Sequence, residues 1–331
     1  MNLSVIGGGS WGSTLAQVLT DNGHSVLVYD INPVYVDKIN HQKHPFFDEP
    51  LKDIKATNNL KEALEFSDLI LLSVPTKAMR DVLKEINSLI NSKKSFVNVS
   101  KGIEPETLKR VSEIVKEEIN PENLENYAVL TGPSHAEEVI LRKLTLLTSA
   151  SDNPEFAKQI QCIFSNDTYL RVYTSSDLIG CEVGGAVKNA IAVVSGILSG
   201  HGLGENARAA LITRGILEII RVVKVMGGKT ETAFGLTGIG DLIVTASSEN
   251  SRNFTAGKKI GSGINASKAV EESVQTVEGI RTIQAMHLLS IEKNIELPII
   301  DIAYDVIFNN LSVEQAVAHL LTRDLKEEKL D

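Results

Sequence analysis

Only two cysteines, Cys162 and Cys181, stand in a chain of 331 residues. They are too few and too far apart for a disulfide framework or a zinc ribbon, so free thiols in a reducing compartment are expected. Excess positive charge is also lacking. Lys and Arg number 33 against 42 Asp and Glu, a net charge of −9. That excludes a protein built to neutralise the phosphates of a nucleic acid or an anionic membrane, though not a small anion in a local basic pocket. No apolar run is expected to reach the ~20 residues of a membrane span, and the opening Met1-Asn2-Leu3-Ser4-Val5-Ile6 lacks the basic-then-apolar pattern of a secretory leader. Metal-ligand patterns are missing too. His41 and His44 have no further ligands beside them, His135 with Glu137 has no downstream cysteine pair, and no H-E-x-x-H occurs. No metal is assigned, and a cytoplasmic location is expected. There is no internal repeat or low-complexity linker, and the charge-rich stretch 323–331 reads as a solvated tail.

What is present suggests two domains, because 331 residues exceed what one core serves at about 100–200 residues per domain. In the front half, Leu3 to Ile6, Val26 to Tyr29, Leu69 to Val74, Phe96 to Val99, Ala128 to Leu130 and Leu144 to Leu147 are short apolar or β-branched runs separated by helix-length segments. This alternation predicts an α/β doubly wound, mainly parallel sheet of the Rossmann type. Beyond about Thr174 the pattern changes to long helical stretches, Ile179 to Leu198, Arg208 to Met226 and Val277 to Glu292, with no convincing strand. The expected organisation is a dinucleotide-binding domain over 1–175 followed by an all-α substrate-binding and catalytic domain over 176–331. The helical domain's apolar content suggests a homodimer.

Gly7-Gly8-Gly9-Ser10-Trp11-Gly12 fits G-x-G-x-x-G, and its setting carries the argument: it follows a strand directly, opens a helix, and precedes a second strand ending at Asp30. Gly7 suits the tight turn, Gly9 lets backbone amides approach a pyrophosphate, and Gly12 permits close helix–strand packing, with Ser10 at the helix amino terminus facing the negative charge. Asp30 lies near the ~20-residue spacing of an acid that binds the ribose 2′-hydroxyl, which favours NAD over NADP; its alternative is to cap the next helix with Asn32. Trp11 either covers the cofactor or simply packs.

In the back half, Gly184-Gly185-Ala186-Val187-Lys188-Asn189-Ala190 sets a lysine and an asparagine among small residues that let a ligand approach. Desolvated there, Lys188 would have a lowered pKa and serve as general acid and base near neutral pH; otherwise it is a solvated helix lysine.

Taken in order, Val5 to Gly12, Ser73-Val74-Pro75, Ser100-Lys101-Gly102, Thr131-Gly132-Pro133-Ser134, Gly184 to Asn189, Asn206-Ala207-Arg208, Leu236 to Asp241, Ser251-Arg252-Asn253 and Val277-Glu278-Gly279 closely resemble the bacterial NAD(P)-dependent sn-glycerol-3-phosphate dehydrogenases. The resemblance covers nearly the whole chain. It implies interconversion of dihydroxyacetone phosphate and glycerol 3-phosphate, a phosphorylated triose, in support of phospholipid synthesis. It also implies Lys188 as proton donor or acceptor, with Lys101 and Asp241 completing the catalytic surround. Gly132, Ser134, Asn189, Ser251, Arg252 and Asn253 are implied around the substrate, and Lys101, Ala136, Arg252, Val277 and Glu278 at the cofactor. Many relatives place a basic or histidine side chain where this chain has Ile31 beside Asp30, which puts NADP preference in doubt. Two readings compete: a β-hydroxyacid dehydrogenase acting on a carboxylate without phosphate, and a non-catalytic NAD(H) sensor.

Overall fold

The structure, a computed structural model, describes residues 1–271, 277–325 and 327–328. Contacts divide the chain into two compact units: Met1–Ser100 with Val111–Leu178, and Lys101–Arg110 with Ile179–Asp331. The short segment Lys101–Arg110 thus belongs to the second unit although both its chain neighbours belong to the first.

The first unit is built on a sheet of β1 (Asn2–Ile6), β2 (Ser25–Tyr29), β3 (Lys55–Thr57), β4 (Leu69–Leu72), β5 (Lys94–Asn98), β6 (Leu124–Thr131), β7 (Thr145–Ala150) and β8 (Leu170–Ser175). Their order is β3-β2-β1-β4-β5-β6-β7-β8. All neighbours run parallel except β6 and β7. Its helices are α1 (Ser10–Asp21), α2 (Pro33–Asn40), α3 (Leu60–Phe66), α4 (Thr76–Leu89), α5 (Val111–Glu118), α6 (Ala136–Ile140) and α7 (Pro154–Phe164). Inner strands such as Leu69-Ile70-Leu71-Leu72 are buried throughout, as expected of a parallel sheet covered on both faces. Starts are set by local chemistry: Asn59 and Asn153 accept backbone N–H bonds at the heads of α3 and α7, and Pro33 and Pro154 occupy first turns where no N–H is needed. Two strands go beyond the expected set. β3 is three residues of Lys-Ala-Thr on a sheet edge, and β8 alternates buried and exposed residues over Leu170 to Tyr173, unlike the continuous apolar runs inside.

Strand order reverses between β1 and β4: the chain runs outward from β1 to β2 and β3, then returns to β4 on β1's other side. Ligands bind such sheets at the carboxyl ends of the strands flanking this switch point. The glycine turn sits there.

The second unit carries α8 (Leu178–Gly200), α9 (Glu205–Val225), α10 (Thr230–Ala233), a π-helical turn over Leu236–Gly240, α11 (Asp241–Ala246), α12 (Arg252–Gly261), α13 (Ala266–Glu271), α14 (Glu278–Lys293), α15 (Pro298–Phe308) and α16 (Val313–Leu321). No strand occurs in it among the described residues. Its core joins α8 side chains such as Val187 and Ile191 to Ile219, Val223, Met286 and Ile300, and includes Ile103 from the short segment. By length and composition α8 would span a bilayer, which corrects the expectation that no stretch approaches that size; 94% of its apolar window is buried inside the protein. A core helix, apolar on every side, meets the same criterion.

Two contacts between helices shape this unit. Gly196 and Gly200 face Gly257 and Gly261 of α12 so closely that a Cβ on any of them would lie 2.0–2.1 Å from a backbone oxygen of the other helix. In the second, α9 supplies a buried Glu218 whose carboxylate accepts from the Ile299 and Ile300 N–H groups at 2.6 and 3.1 Å, capping α15, whose own N-cap Leu297 offers no side-chain acceptor. Glu218→Leu strands both donors. Each buried, unpaired N–H costs about 1–3 kcal/mol, so the urea midpoint should fall clearly in far-UV circular dichroism. An unchanged midpoint would mean that the amides find another acceptor.

Candidate active site

In the first unit the glycine turn has the shape a dinucleotide requires. Gly7 adopts φ +107°, and a Cβ there would sit 2.4 Å from the Ser73 carbonyl oxygen at the end of β4. At Gly12 a Cβ would fall 1.9 Å from the Gly7 oxygen, whereas at Gly9 it would meet nothing within 4 Å. The outer glycines are thus demanded by packing, and the middle one leaves open space over the amino terminus of α1. Gly9 is the N-cap and provides no side-chain cap, so that terminus keeps its affinity for an anion. These residues fit a bound dinucleotide. Ser10 is buried at the first position of α1, and Trp11, partly buried, packs against the first unit's core.

Asp30, just past β2, accepts from Gly8 N at 2.6 Å through Oδ2 and from Asn32 N at 2.8 Å through Oδ1. Burial raises its pKa against the pull of those two amides. Asn32, not Asp30, caps α2. Asp30 therefore ties the glycine turn to the end of β2 while its remaining lone pairs stay available to a hydroxyl donor. His44 is structural: burial lowers its pKa to about 4, its Nδ1 accepts from the Phe46 and Phe47 amides, and Nε2 lies 3.2 Å from the Ser10 carbonyl oxygen. Gly132 (φ +138°) follows β6, Ser134 Oγ donates to the Gly132 carbonyl at 3.0 Å, and Ala136 opens α6. Gly132 and Ser134 therefore share the carboxyl edge with the glycine turn.

The second unit gathers the charged candidates. Lys188 lies inside α8 and is buried; Asp241, buried as well, opens α11 directly after the π-helical turn. Lys188 Nζ is 2.8 Å from Asp241 Oδ1, and Lys101 Nζ is 2.6 Å from Asp241 Oδ2. One carboxylate thus holds two ammonium groups, one on each oxygen. Burial lowers the Lys188 pKa to about 7; Asp241 opposes that, while Lys101 and Arg252 push further in the same direction. Burial would raise Asp241, but the two lysines outweigh it and hold the carboxyl below its ordinary value.

Thr245 was not anticipated. Its Oγ1 accepts from Lys188 Nζ at 2.6 Å and donates to Asp241 Oδ1 at 3.3 Å. The only trace in the sequence is its place four residues after Asp241, on the same helix face.

Asn189 and Asn253 form a directed relay. The Gly279 N–H, which can only donate, binds Asn253 Oδ1 at 2.8 Å; Asn253 Nδ2 donates to Asn189 Oδ1 at 3.0 Å; Asn189 Nδ2 donates to the Lys101 carbonyl at 3.1 Å. The backbone groups at its ends fix both amide orientations. Val277 and Glu278 stand at the head of α14, beside the relay's first member. Ser251 caps α12 by accepting from Phe254 N, and the exposed Arg252 is the first residue of that helix. Among the described residues no group of three potential metal ligands is found.

Comparison with known proteins agrees with this geometry. Residues 2–157 match the family model described as the NAD-dependent glycerol-3-phosphate dehydrogenase N-terminus, and residues 177–318 its C-terminus. A glycerol-3-phosphate dehydrogenase (NAD(P)+) of Acholeplasma laidlawii is 68% identical over 99% of both chains, and one from Onion yellows phytoplasma is 55% identical over 99% of this chain and all of that one. The crystal structure of glycerol-3-phosphate dehydrogenase from Coxiella burnetii superposes with a TM-score of 0.91 at 35% identity, covering 97% of this chain and 99% of that one. With both of its halves matched, this chain belongs to the NAD-dependent glycerol-3-phosphate dehydrogenase family.

Proposed function

We propose that this protein interconverts dihydroxyacetone phosphate and sn-glycerol 3-phosphate with NAD(P)(H), in the cytoplasm and in support of glycerophospholipid synthesis. The observation that carries the reading is the convergence of Lys101 and Lys188 on the buried Asp241. Gly7 to Gly12 and Asp30 hold the dinucleotide, which supplies the hydride when bound. As negative charge grows on the C2 oxygen of the ketone, Lys188 gives its proton to that oxygen and Lys101 stabilises the charge; in the reverse direction neutral Lys188 takes the hydroxyl proton. A lysine with a pKa of about 7 is equipped for both. Asp241 and Thr245 keep the Lys188 amine fixed. Arg252, with the Ser251 and Asn253 donors, offers a planar charged fork to the substrate phosphate at the head of a helix. Gly132 and Ser134 are assigned to the substrate, and Ala136, Val277 and Glu278 to the cofactor.

Assays of dihydroxyacetone phosphate against unphosphorylated hydroxy- and keto-acids, each with NADH and NADPH, test the proposal. Turnover of the acids alone would overturn it. Arg252→Ala should raise KM for dihydroxyacetone phosphate by about 10-fold or more, the worth of one charge-assisted bond, and far more than KM for NADH. Equal effects on both would remove the phosphate role.

The Asp30 carboxylate favours NADH, because it accepts from a 2′-hydroxyl and repels a 2′-phosphate. Asp30→Asn keeps the side chain's size and removes the charge. The ratio of kcat/KM for NADH to that for NADPH should fall by about 10-fold; an unmoved ratio would place cofactor selection elsewhere.

A further inference from the structure

We propose that the buried Arg110–Glu182 ion pair is a positioning device for Lys101. The inference rests on the role given to Lys101 above.

Lys101 belongs to no helix or strand. It begins a ten-residue loop, Lys101–Arg110, that joins the second unit while the chain on either side belongs to the first, so its location depends on what fastens the loop. The loop is closed on itself: Ile103 and Arg110 pair as an antiparallel bridge, Glu104 N donates to the Lys109 carbonyl at 3.0 Å, and Leu108 N donates to the Glu104 carbonyl at 2.8 Å, with Leu108 left-handed at φ +57°. Arg110 is thereby tied through backbone to Ile103, two residues from Lys101.

Besides the contacts of Lys101 itself with Asp241 and Asn189, three described contacts fasten the rest of this closed loop. Ile103 is buried in the unit's core with Leu108 packed against it; such contacts are strong but carry no direction. Glu106 approaches Arg281 at 3.6 Å, with Glu106 exposed and Arg281 half-buried, and pairs with one such solvated partner contribute little. The third contact is Arg110 Nη1 to Glu182 Oε2 at 2.9 Å, with side chains 11% and 4% exposed. Desolvation offsets most of the attraction in so buried a pair, and apolar residues of the same volume would hold the fold as well. Orientation is what they would not provide. A guanidinium bonded to a carboxylate fixes distance and angle together. Glu182 lies on α8, six residues before Lys188 and about 9 Å along the axis, so the pair refers the loop to the same rigid helix that carries the Lys188 amine. With Asn189 holding the Lys101 carbonyl from that helix as well, α8 fixes both ends of the loop.

The test uses the full chain with NADH. Arg110→Met combined with Glu182→Met fills the space with apolar volume and should melt at the wild-type temperature. Its kcat for dihydroxyacetone phosphate reduction should fall about 10-fold, as expected of a displaced catalytic group, with KM for NADH moving far less. Acetic anhydride should label Lys101 faster than in the wild type. Lys101→Met added to this background should lower kcat no further than Lys101→Met alone, since both changes act through one side chain. Should the double variant not fold, Glu182→Gln carries the same comparison. Full kcat with wild-type labelling of Lys101 in the pair variant, or losses that add to those of Lys101→Met, would overturn the proposal and leave the role of Lys101 standing. If Lys101→Met itself keeps full kcat, the role of Lys101 fails and this inference falls with it.

Discussion

Lys188→Ala should lower kcat for dihydroxyacetone phosphate reduction by about 10³-fold, the contribution of a positioned proton donor together with its charge, while NADH still binds, because the glycine turn is untouched. Stopped-flow turnover and NADH fluorescence titration separate the two quantities. Undiminished turnover would remove Lys188 from the chemistry. The pH profile gives an independent check. Reduction needs the protonated amine, so kcat/KM in that direction should fall as pH rises through about 7; oxidation needs the free amine and should rise over the same range. Linkage adds a stability signature. The folded pKa of about 7 lies below the ordinary 10.5 of an unfolded lysine, so between these values the unfolded chain holds the extra proton. The Lys188 contribution to stability is then fully present above pH 10.5 and is lost as pH falls through 7. Lys188→Met should remove that part of the pH dependence of the urea midpoint.

Asp241→Asn should be the most damaging conservative change in the second unit. It removes the shared counter-charge and leaves the buried Lys188 beside Lys101 with no anion between them. Loss of one partner of a buried pair costs about 3–5 kcal/mol, which should appear in the urea midpoint at pH 7. The Asp241 charge also raises the Lys188 pKa, so without it the limb of the reduction profile should move to lower pH, and acidification should restore part of the lost activity. Simple loosening of the fold would not give that recovery. A midpoint and a pH limb both identical to the wild type would mean that Asp241 is not the counter-ion of Lys188.

The parts of this architecture that could be read from the sequence are those with one local cause. Gly7 and Gly12 tolerate no Cβ, so the turn shows in the letters themselves. The inner strands show as apolar runs, and the small residues Gly184, Gly185, Ala186 and Ala190 around Lys188 mark it as a candidate, with a solvated helix lysine as the equal alternative. What did not show depends on distant partners. Lys101 meets Asp241 across 140 positions, and nothing near residue 101 announces that its loop joins the helical unit. Asp241 carries no mark apart from the family resemblance, because its role comes from two lysines on other segments. The relay through Asn189 and Asn253 was equally hidden: the resemblance placed both beside the substrate, and the structure finds both amides engaged in holding the Lys101 carbonyl. Thr245 differs, since its spacing from Asp241 was visible and only its partner was not.

The glycine seam between α8 and α12 has a bearing on how this unit can evolve. Lys188 rides on one of these helices and Arg252 opens the other. Because Gly196, Gly200, Gly257 and Gly261 bring the backbones into contact, the helices cannot draw nearer without clashing or separate without losing packing along their shared length. The seam works as a calliper set to one opening, between the helix that carries Lys188 and the helix that Arg252 opens. On the proposed roles of Lys188 and Arg252, a substrate of different length calls for a rebuilt seam as well as new pocket side chains.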